Sequence, residues 1–359
     1  MPNLTIHDVA RMTGVSVSTV SRILNGKPDV AESTRQRVWQ VVDRIGYIPD
    51  LQAKRLRSNA SPTQIISLHY PIDRTIFDPI QNAAVILEFI LGASAAVEAE
   101  NFLFNLITTP LKGAQLVDLF RNAQSNGIIL AQVRQDDDRV RVLQDTKYPF
   151  VLIGRSGDEE NHGFVDLDFG GAVSLALSHL YDSGHRHIGV LDFPAILLEQ
   201  GYSPAWYTTL ALAEARDKFP DLTLVHQQVG MSNMEVTEAV HCMLDESPQI
   251  SAMVAVHGDC LAGIMEGFNQ HRQLLDHNLS LIAIASENQC NAIHPGLTRV
   301  DLPAEMMGYE AAQALIKQIR DPQPQTIQSL IPPQLVVGDT ADVILNVNGK
   351  RELPIEKHN

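Results

Sequence analysis

Short apolar runs rich in β-branched residues recur along most of this 359-residue chain, each followed by an amphipathic stretch of helical length. The runs are Ile65-Ile66-Ser67-Leu68, Leu103 to Ile107, Gly127 to Leu130, Phe150 to Ile153, His187 to Leu191, Met253 to Val256 and Leu281 to Ile284. Hydrophobic at nearly every position rather than at every second one, they have the pattern of parallel strands covered on both faces. The stretches between them predict crossover helices over 83–99, 116–124, 171–183, 205–218, 234–245, 260–271 and 303–320. This alternation, over nearly three hundred residues, predicts two doubly wound α/β lobes with a cleft between them, since ligands of open α/β sheets bind beyond the carboxyl ends of the strands.

The first sixty residues follow a different plan. They hold nine Lys and Arg (Arg11, Arg22, Lys27, Arg35, Arg37, Arg44, Lys54, Arg55, Arg57) against five acids, or +4. With 27 basic and 42 acidic residues in the whole chain, the remainder carries 18 against 37, or −19. A basic head on an acidic body points to a polyanion-binding module joined to something that is not one. Thr5-Ile6-His7-Asp8 has the form of a capping box opening a helix whose inward face is Ile6, Val9, Ala10 and Met12. Gly14 ends that helix, Val15 plugs the corner, and Ser16 caps a second helix from Val17 to Leu24. Val20, Ile23 and Leu24 suffice to pack it, which leaves Ser16, Val17, Ser18, Ser21 and Arg22 facing outward, short except for one arginine, as entry into a major groove requires. Asn25-Gly26 turns the chain, and a third helix is expected from Thr34 to Ile45 with Val38, Val41, Val42 and Ile45 inward. Helical hairpins of this shape also occur in proteins that never touch DNA, but charge, caps, turn glycine and small outward residues together favour DNA.

Other chemistry finds no foothold. The sequence has no phosphate-binding Gly-rich loop with Lys-Ser/Thr, no G-x-S-x-G, no H-E-x-x-H and no G-x-G-x-x-G. His185 and His187, two apart, point to opposite sides and lack further ligands nearby, so no metal is expected. Asp136-Asp137-Asp138 reads as a solvated turn, and Cys242, Cys260 and Cys290 as reduced, mostly buried thiols. No export signal follows Met1, and the most apolar segment, 83–97, is interrupted by Glu88 and too short to span a bilayer. A cytoplasmic location and no membrane association are expected.

Thr5-Ile6-His7-Asp8-Val9-Ala10, Gly14-Val15-Ser16, Thr19-Val20-Ser21-Arg22, Leu24-Asn25 and Gly46-Tyr47-Ile48-Pro49 resemble the lactose-repressor family of bacterial transcription regulators. The resemblance continues through Asn126 to Leu130, Val165-Asp166-Leu167-Asp168 with Gly171-Ala172, Ser183 to Gly189, and Pro295 to Val300 with Glu305 to Gly308. It implies that Val17, Ser18 and Arg22 read bases while Thr5, Ser16, Thr19, Ser21, Asn25 and Thr34 hold phosphates. Ala31 departs from the family's usual serine, leaving Ser33 as an alternative cap. Residues Leu51 to Ser58 resemble the family's hinge helix, with Ala53, Lys54 and Leu56 in the minor groove and Leu56 as the wedge that kinks the duplex. By itself this segment reads as a basic linker too short for a stable helix.

The expected effector residues are Arg155, Asp168, Phe77, Trp206, His257, Asp259 and Glu287. Tyr207 beside Trp206 is a further stacking face, although aromatics at helical spacing are more often core. The cleft departs from the family at several places. Its usual Asn-Asp appears as His257-Gly258 with Asp259 one place late, its Gly-aromatic-Asp-Asp as Ile284-Ala285-Ser286-Glu287, and its asparagine after Asp168 as Phe169. The resulting expectation is an all-α helix-turn-helix DNA-binding head (1–49), a hinge helix and linker (50–61), an α/β two-lobe periplasmic-binding-protein-like effector and dimerisation domain (62–345), and a tail (346–359). The function expected is that of a repressor without enzymatic activity, cofactor or metal. It would bind double-stranded operator DNA as a homodimer and respond to a small-molecule effector, a carbohydrate in most of the family. The alternative is a degenerate cleft controlled by a non-sugar metabolite or a protein partner. The tail lacks the apolar heptads that would make a tetramer.

Overall fold

The computed structural model describes residues 6–24, 30–45, 64–73, 83–122, 124–146, 148–157, 162–271, 279–321 and 326–341. Thr5, Asn25, Ala53, Lys54, Leu56, Phe77, the hinge segment and the tail lie outside these residues. The chain divides into two compact units, residues 1–63 and 64–359.

The first unit contains α1 (Ile6–Thr13), α2 (Val17–Leu24) and α3 (Glu32–Ile45). Gly14 takes φ +70°, the left-handed conformation that lets its own N–H and that of Val15 close on the Ala10 carbonyl at 3.0 and 3.3 Å. Val9, Ala10, Val20, Ile23, Val38, Val41 and Val42 form the core, with Ile6, Val15, Val17 and Val30 packed at its edge. Two expectations are corrected here. Met12 is 48% exposed, and Thr13 takes the inward place, its hydroxyl donating to the Val9 carbonyl at 2.7 Å. Positions 6, 9, 10 and 13 lie on one helical stripe, and 12 falls beside it. The third helix starts at Glu32 rather than Thr34, with the Ala31 carbonyl accepting from Thr34 and Arg35, so Ser33 lies inside the first turn and cannot be the cap.

The second unit holds two six-stranded sheets, ordered β11-β5-β4-β3-β1-β2 and β12-β10-β9-β8-β6-β7. The first comprises β1 (Ile65–His69), β2 (Leu103–Ile107), β3 (Gly127–Leu130), β4 (Phe150–Ile153), β5 (Gly163–Leu167) and β11 (Gln328–Ile331), all parallel. The second comprises β6 (His187–Asp192), β7 (Thr223–Gln228), β8 (Ala252–Ala255), β9 (Ser280–Ala285), β10 (Thr298–Asp301) and β12 (Leu335–Val336). Its β12 runs antiparallel to β10, the one exception to the expected parallel order among the described pairings. The central strands β3, β4, β8 and β9 are buried along their whole length, as their unbroken apolar runs require. The chain passes between the sheets three times, after β5, after β10 and between β11 and β12.

The crossover helices of the first lobe are α4 (Ala83–Ala99), α5 (Gly113–Arg121) and α6 (Asp138–Thr146). The second lobe has α7 (Phe169–Asp182), α8 (Ala195–Glu199), α9 (Ser203–Lys218), α10 (Asn233–Glu246), α11 (Leu261–His271) and α12 (Glu287–Ile293). Then α13 (Ala304–Arg320) returns to cover the first sheet beside α4. These two helices approach closely because Gly92 and Gly308 face them: a Cβ at either would run into the Glu305 or Phe89 carbonyl. Glu88, which interrupts the apolar run of α4, is buried. Among the described residues no helix is long and apolar enough to cross a membrane, and no cluster of three or more His, Cys, Asp or Glu could hold a metal. His185 instead pairs its Nδ1 with the Ser251 hydroxyl at 2.8 Å. Cys260 and Cys290 are buried and Cys242 exposed, all three as free thiols.

Candidate DNA-binding head and effector cleft

At the start of α2, Ser16 Oγ accepts from the Thr19 backbone N–H at 3.1 Å and lies 2.8 Å from both the Ser18 and Thr19 hydroxyls. Three hydroxyls are thus gathered where the helix leaves its first N–H groups pointing outward, a disposition suited to anionic oxygen. Ser18 and Arg22 are exposed and Ser21 is half-buried. Val17, expected outward, is half-buried against the edge of the core, so only part of its side chain is accessible. Thr34 is half-buried in the first turn of α3.

Between the lobes of the second unit lies a cleft lined by the segments that leave the carboxyl ends of both sheets. From the first lobe come Tyr70 after β1, Ala131-Gln132-Val133 after β3, Gly154 after β4, and Asp166 on β5. From the second come Phe193 after β6, Met231 after β7, His257-Gly258-Asp259 after β8, and Ile284 on β9. Tyr202, Ser203 and Phe169 close one side.

The wall after β3 is held by a buried ion pair. Arg139 donates to both oxygens of Asp137, at 2.9 and 2.6 Å, and to the carbonyls of Ala131 and Gln132, at 3.2 and 2.9 Å. Asp137 is therefore no solvated turn residue. Burial pushes its pKa up, but hydrogen bonds and charge from Arg139 outweigh burial and hold it below the ordinary carboxylate value. Arg139 also faces His69, whose pKa falls to about 4, through burial first and then that same positive charge. The arrangement fixes Gln132 at φ +51°, a left-handed conformation uncommon outside glycine. Gln132 in turn bonds the buried Tyr70 hydroxyl, whose pKa burial pushes up to about 12.

The expected effector residues separate into two groups. His257 and Asp259 line the cleft, Asp259 accepting from Gln289 Nε2 at 3.2 Å. His257 stacks on Phe193 at 4.7 Å between ring centres, and burial lowers its pKa to about 4, so it is a neutral imidazole. Neither of its ring nitrogens has a hydrogen-bond partner among the described residues. The other group stands back from the lining. Arg155 is buried behind it, paired with Asp166 at 2.9 Å and lying flat over the Tyr207 ring at 3.9 Å. Tyr207 thus backs a guanidinium rather than offering a stacking face to the cleft. Asp168 caps α7, accepting from the Gly171 N–H at 3.0 Å. Trp206 is 43% exposed on the outside of α9, and Glu287 faces solvent with Arg299 3.7 Å away. Tyr70, Gln132, Asp166, Ser203 and Gln289 were not foreseen. Their position at or just past the carboxyl end of a strand, or in the first turn of the next helix, is the signal that marks them.

A second polar cluster joins the lobes. Glu88 of α4 accepts from the Ser286 hydroxyl at 2.6 Å and from Asn288 Nδ2 at 3.2 Å, both in or beside α12 of the other lobe. Ser286 also caps α12 by accepting from Gln289 N.

A helix-turn-helix unit joined to a two-lobe body with an interlobe cleft defines a ligand-responsive DNA-binding regulator. Residues 5–50 match the bacterial regulatory proteins of the lacI family, and residues 177–341 match the periplasmic binding protein-like domain. The chain is 24% identical over 340 residues to the transcriptional regulator CelR of Thermobifida fusca, covering 94% of this chain and 98% of that protein. Its fold is similar to that of a CelR–cellobiose complex, with a TM-score of 0.64 at 20% identity over 94% of this chain and 99% of that one. It is similar also to the lac repressor dimer bound to operator, with a TM-score of 0.67 at 18% identity over 94% and 99%. The chain is thus similar to the lactose-repressor family in its first fifty residues and to transcriptional regulators over most of its length. These matches are those of a DNA-binding transcription regulator.

Proposed function

We propose that this protein is a homodimeric repressor whose operator affinity is set by a molecule held in the interlobe cleft. Val17, Ser18 and Arg22 read bases in the major groove, and Thr5, Ser16, Thr19, Ser21, Asn25 and Thr34 contact phosphates. Ala53, Lys54 and Leu56 enter the minor groove as a hinge. The observation that carries the DNA half is the hydroxyl cluster of Ser16, Ser18 and Thr19 at the mouth of α2. Selection of binding sites from random DNA by the full chain tests this half. It should return two inverted half-sites, and sites with no such symmetry would refute the dimeric reading.

Effector control rests on the cleft, where a ligand touching both lobes changes their relative rotation and with it operator affinity. A carbohydrate effector is supported by the cellobiose complex of a protein with the same fold. The lining of this chain's own cleft favours the other reading, a non-sugar metabolite, because most of the wall is apolar and Arg155 and Asp168 are engaged behind it.

A further inference from the structure

We infer that the cleft takes an uncharged, hydroxylated aromatic compound, of the chemical class of phenols and aromatic alcohols, with its hydroxyl held by His257 and Ser203. The inference rests on the proposed function, since it names the class of ligand bound at that same site.

Charge comes first. No lysine or arginine is among the described lining residues, and the two guanidinium groups that touch the lining are each paired with an acid, Arg155 with Asp166 and Arg139 with Asp137. A carboxylate or phosphate would therefore enter a cleft whose remaining charged lining group, Asp259, is an acid and whose histidine is neutral. An anion is disfavoured by both desolvation and repulsion.

Hydrogen-bonding capacity comes second. A free sugar presents a hydroxyl on nearly every ring carbon, and each one buried without a partner weakens binding by roughly tenfold or more. The polar side chains of the cleft are largely engaged with one another: Gln132 with Tyr70, Asp166 with Arg155, and Asp259 with Gln289. Two of the described lining groups are buried and have no partner among the described residues, the His257 ring nitrogens and the Ser203 hydroxyl. A neutral imidazole offers one donor and one acceptor, and a serine hydroxyl can act as either. Such a pair suits one or two ligand hydroxyls and leaves a polyhydroxylated ring mostly unsatisfied.

Shape comes third. Tyr70, Phe89, Phe169, Phe193 and Tyr202 line the same space. Phe169 and Phe193 lie 6.0 Å apart, Phe193 and Tyr202 meet edge-on at 5.5 Å, and His257 is stacked on Phe193. Flat faces and edges at these separations accept another aromatic ring, which gains offset or edge contacts beyond its area burial.

Thermal unfolding and calorimetry of the full chain with phenol, 2-phenylethanol, cellobiose and benzoate test the inference. Phenol or 2-phenylethanol should raise the melting temperature and bind, while cellobiose and benzoate should do neither. Ser203→Ala and His257→Leu should each weaken binding of the aromatic alcohol at least fivefold, and the Ser203 variant, which changes one atom on a helix, guards against a folding defect in the other. Binding of cellobiose or benzoate without binding of either aromatic alcohol would overturn the inference while leaving the regulator reading intact, and so would failure of all four probes. Loss of operator recognition by the unliganded wild-type chain would instead be a failure of the proposed function.

Discussion

Replacement of Glu88 tests how the two lobes are held. Its carboxylate is 6% exposed and accepts from Ser286, itself 1% exposed, and from Asn288 across the lobe boundary. Glu88→Ala strips the acceptor from a buried hydroxyl, which costs about 1–3 kcal/mol for the stranded donor, while Asn288 can turn to water. Part of that loss is offset, because the carboxyl itself is buried at a cost: burial raises its pKa, against the hydrogen bonds from Ser286 and Asn288, and Glu305 and Asp301 raise it further. The net expectation for Glu88→Ala is about 1–2 kcal/mol, or roughly 2–6 °C in melting temperature for a domain of this size. Glu88→Gln keeps an oxygen acceptor for both donors and buries no charge, so at pH 7 it should match or exceed the wild type. The pH dependence follows from the raised folded-state pKa. Stability contributed by this group is full below the unfolded value and is lost as pH rises through the folded one. The advantage of Glu88→Gln should therefore be absent at pH 4 and present at pH 7. Urea unfolding of the three proteins at both pH values measures it. A glutamine variant as unstable as the alanine variant at pH 7 would show that the charge itself holds the lobes, and the argument would be wrong.

Arg22→Ala should cost about 1–3 kcal/mol on a selected operator and little on random DNA, as for a lost bidentate base contact, and equal losses on both in a titration at one salt concentration would reduce Arg22 to a phosphate clamp. Arg155→Ala should destabilise the body by about 3–5 kcal/mol, because it leaves the buried Asp166 carboxylate without its ion pair. An unchanged urea midpoint would show that Asp166 finds another partner. Gly308→Ala should destabilise despite the better helix propensity of alanine, since its Cβ meets the Phe89 backbone and overpacking costs about 1–3 kcal/mol. A higher melting temperature for that variant would mean that the two helices can part without loss.

The lobes were legible because their central strands are short runs apolar at nearly every position, the pattern of a strand covered on both faces. Ala83–Ala99 was placed to the residue because its apolar run is too long for a strand. Half-exposed elements were harder. Strand Thr223–Gln228 and helix Asp138–Thr146 alternate polar and apolar residues at the sheet margin or solvent face, where no single period dominates. The cleft was the least legible part. Asp168 carries a motif and sits at the lobe junction, yet its carboxylate closes a helix, and Arg155 is turned to Asp166. Whether a side chain faces ligand or neighbour is set by contacts between segments far apart in the chain, such as Glu88 with Ser286. His257 was reachable from sequence because it stands directly after a strand.

The three passages between the lobes impose an order in time. The edge of the first sheet beside β5 is filled by β11, and the edge of the second beside β10 by β12, so the first sheet is not complete until residue 331 has been synthesised and the second until residue 336. Helix α13, which covers the first core, also arrives after β10 of the second lobe. A nascent chain stalled before this point carries two unfinished sheets with unpaired edges at once, and such edges are templates for pairing with other chains. The first lobe cannot mature while the second is still being made, and the ribosome must deliver nearly the whole body before either half is safe from aggregation.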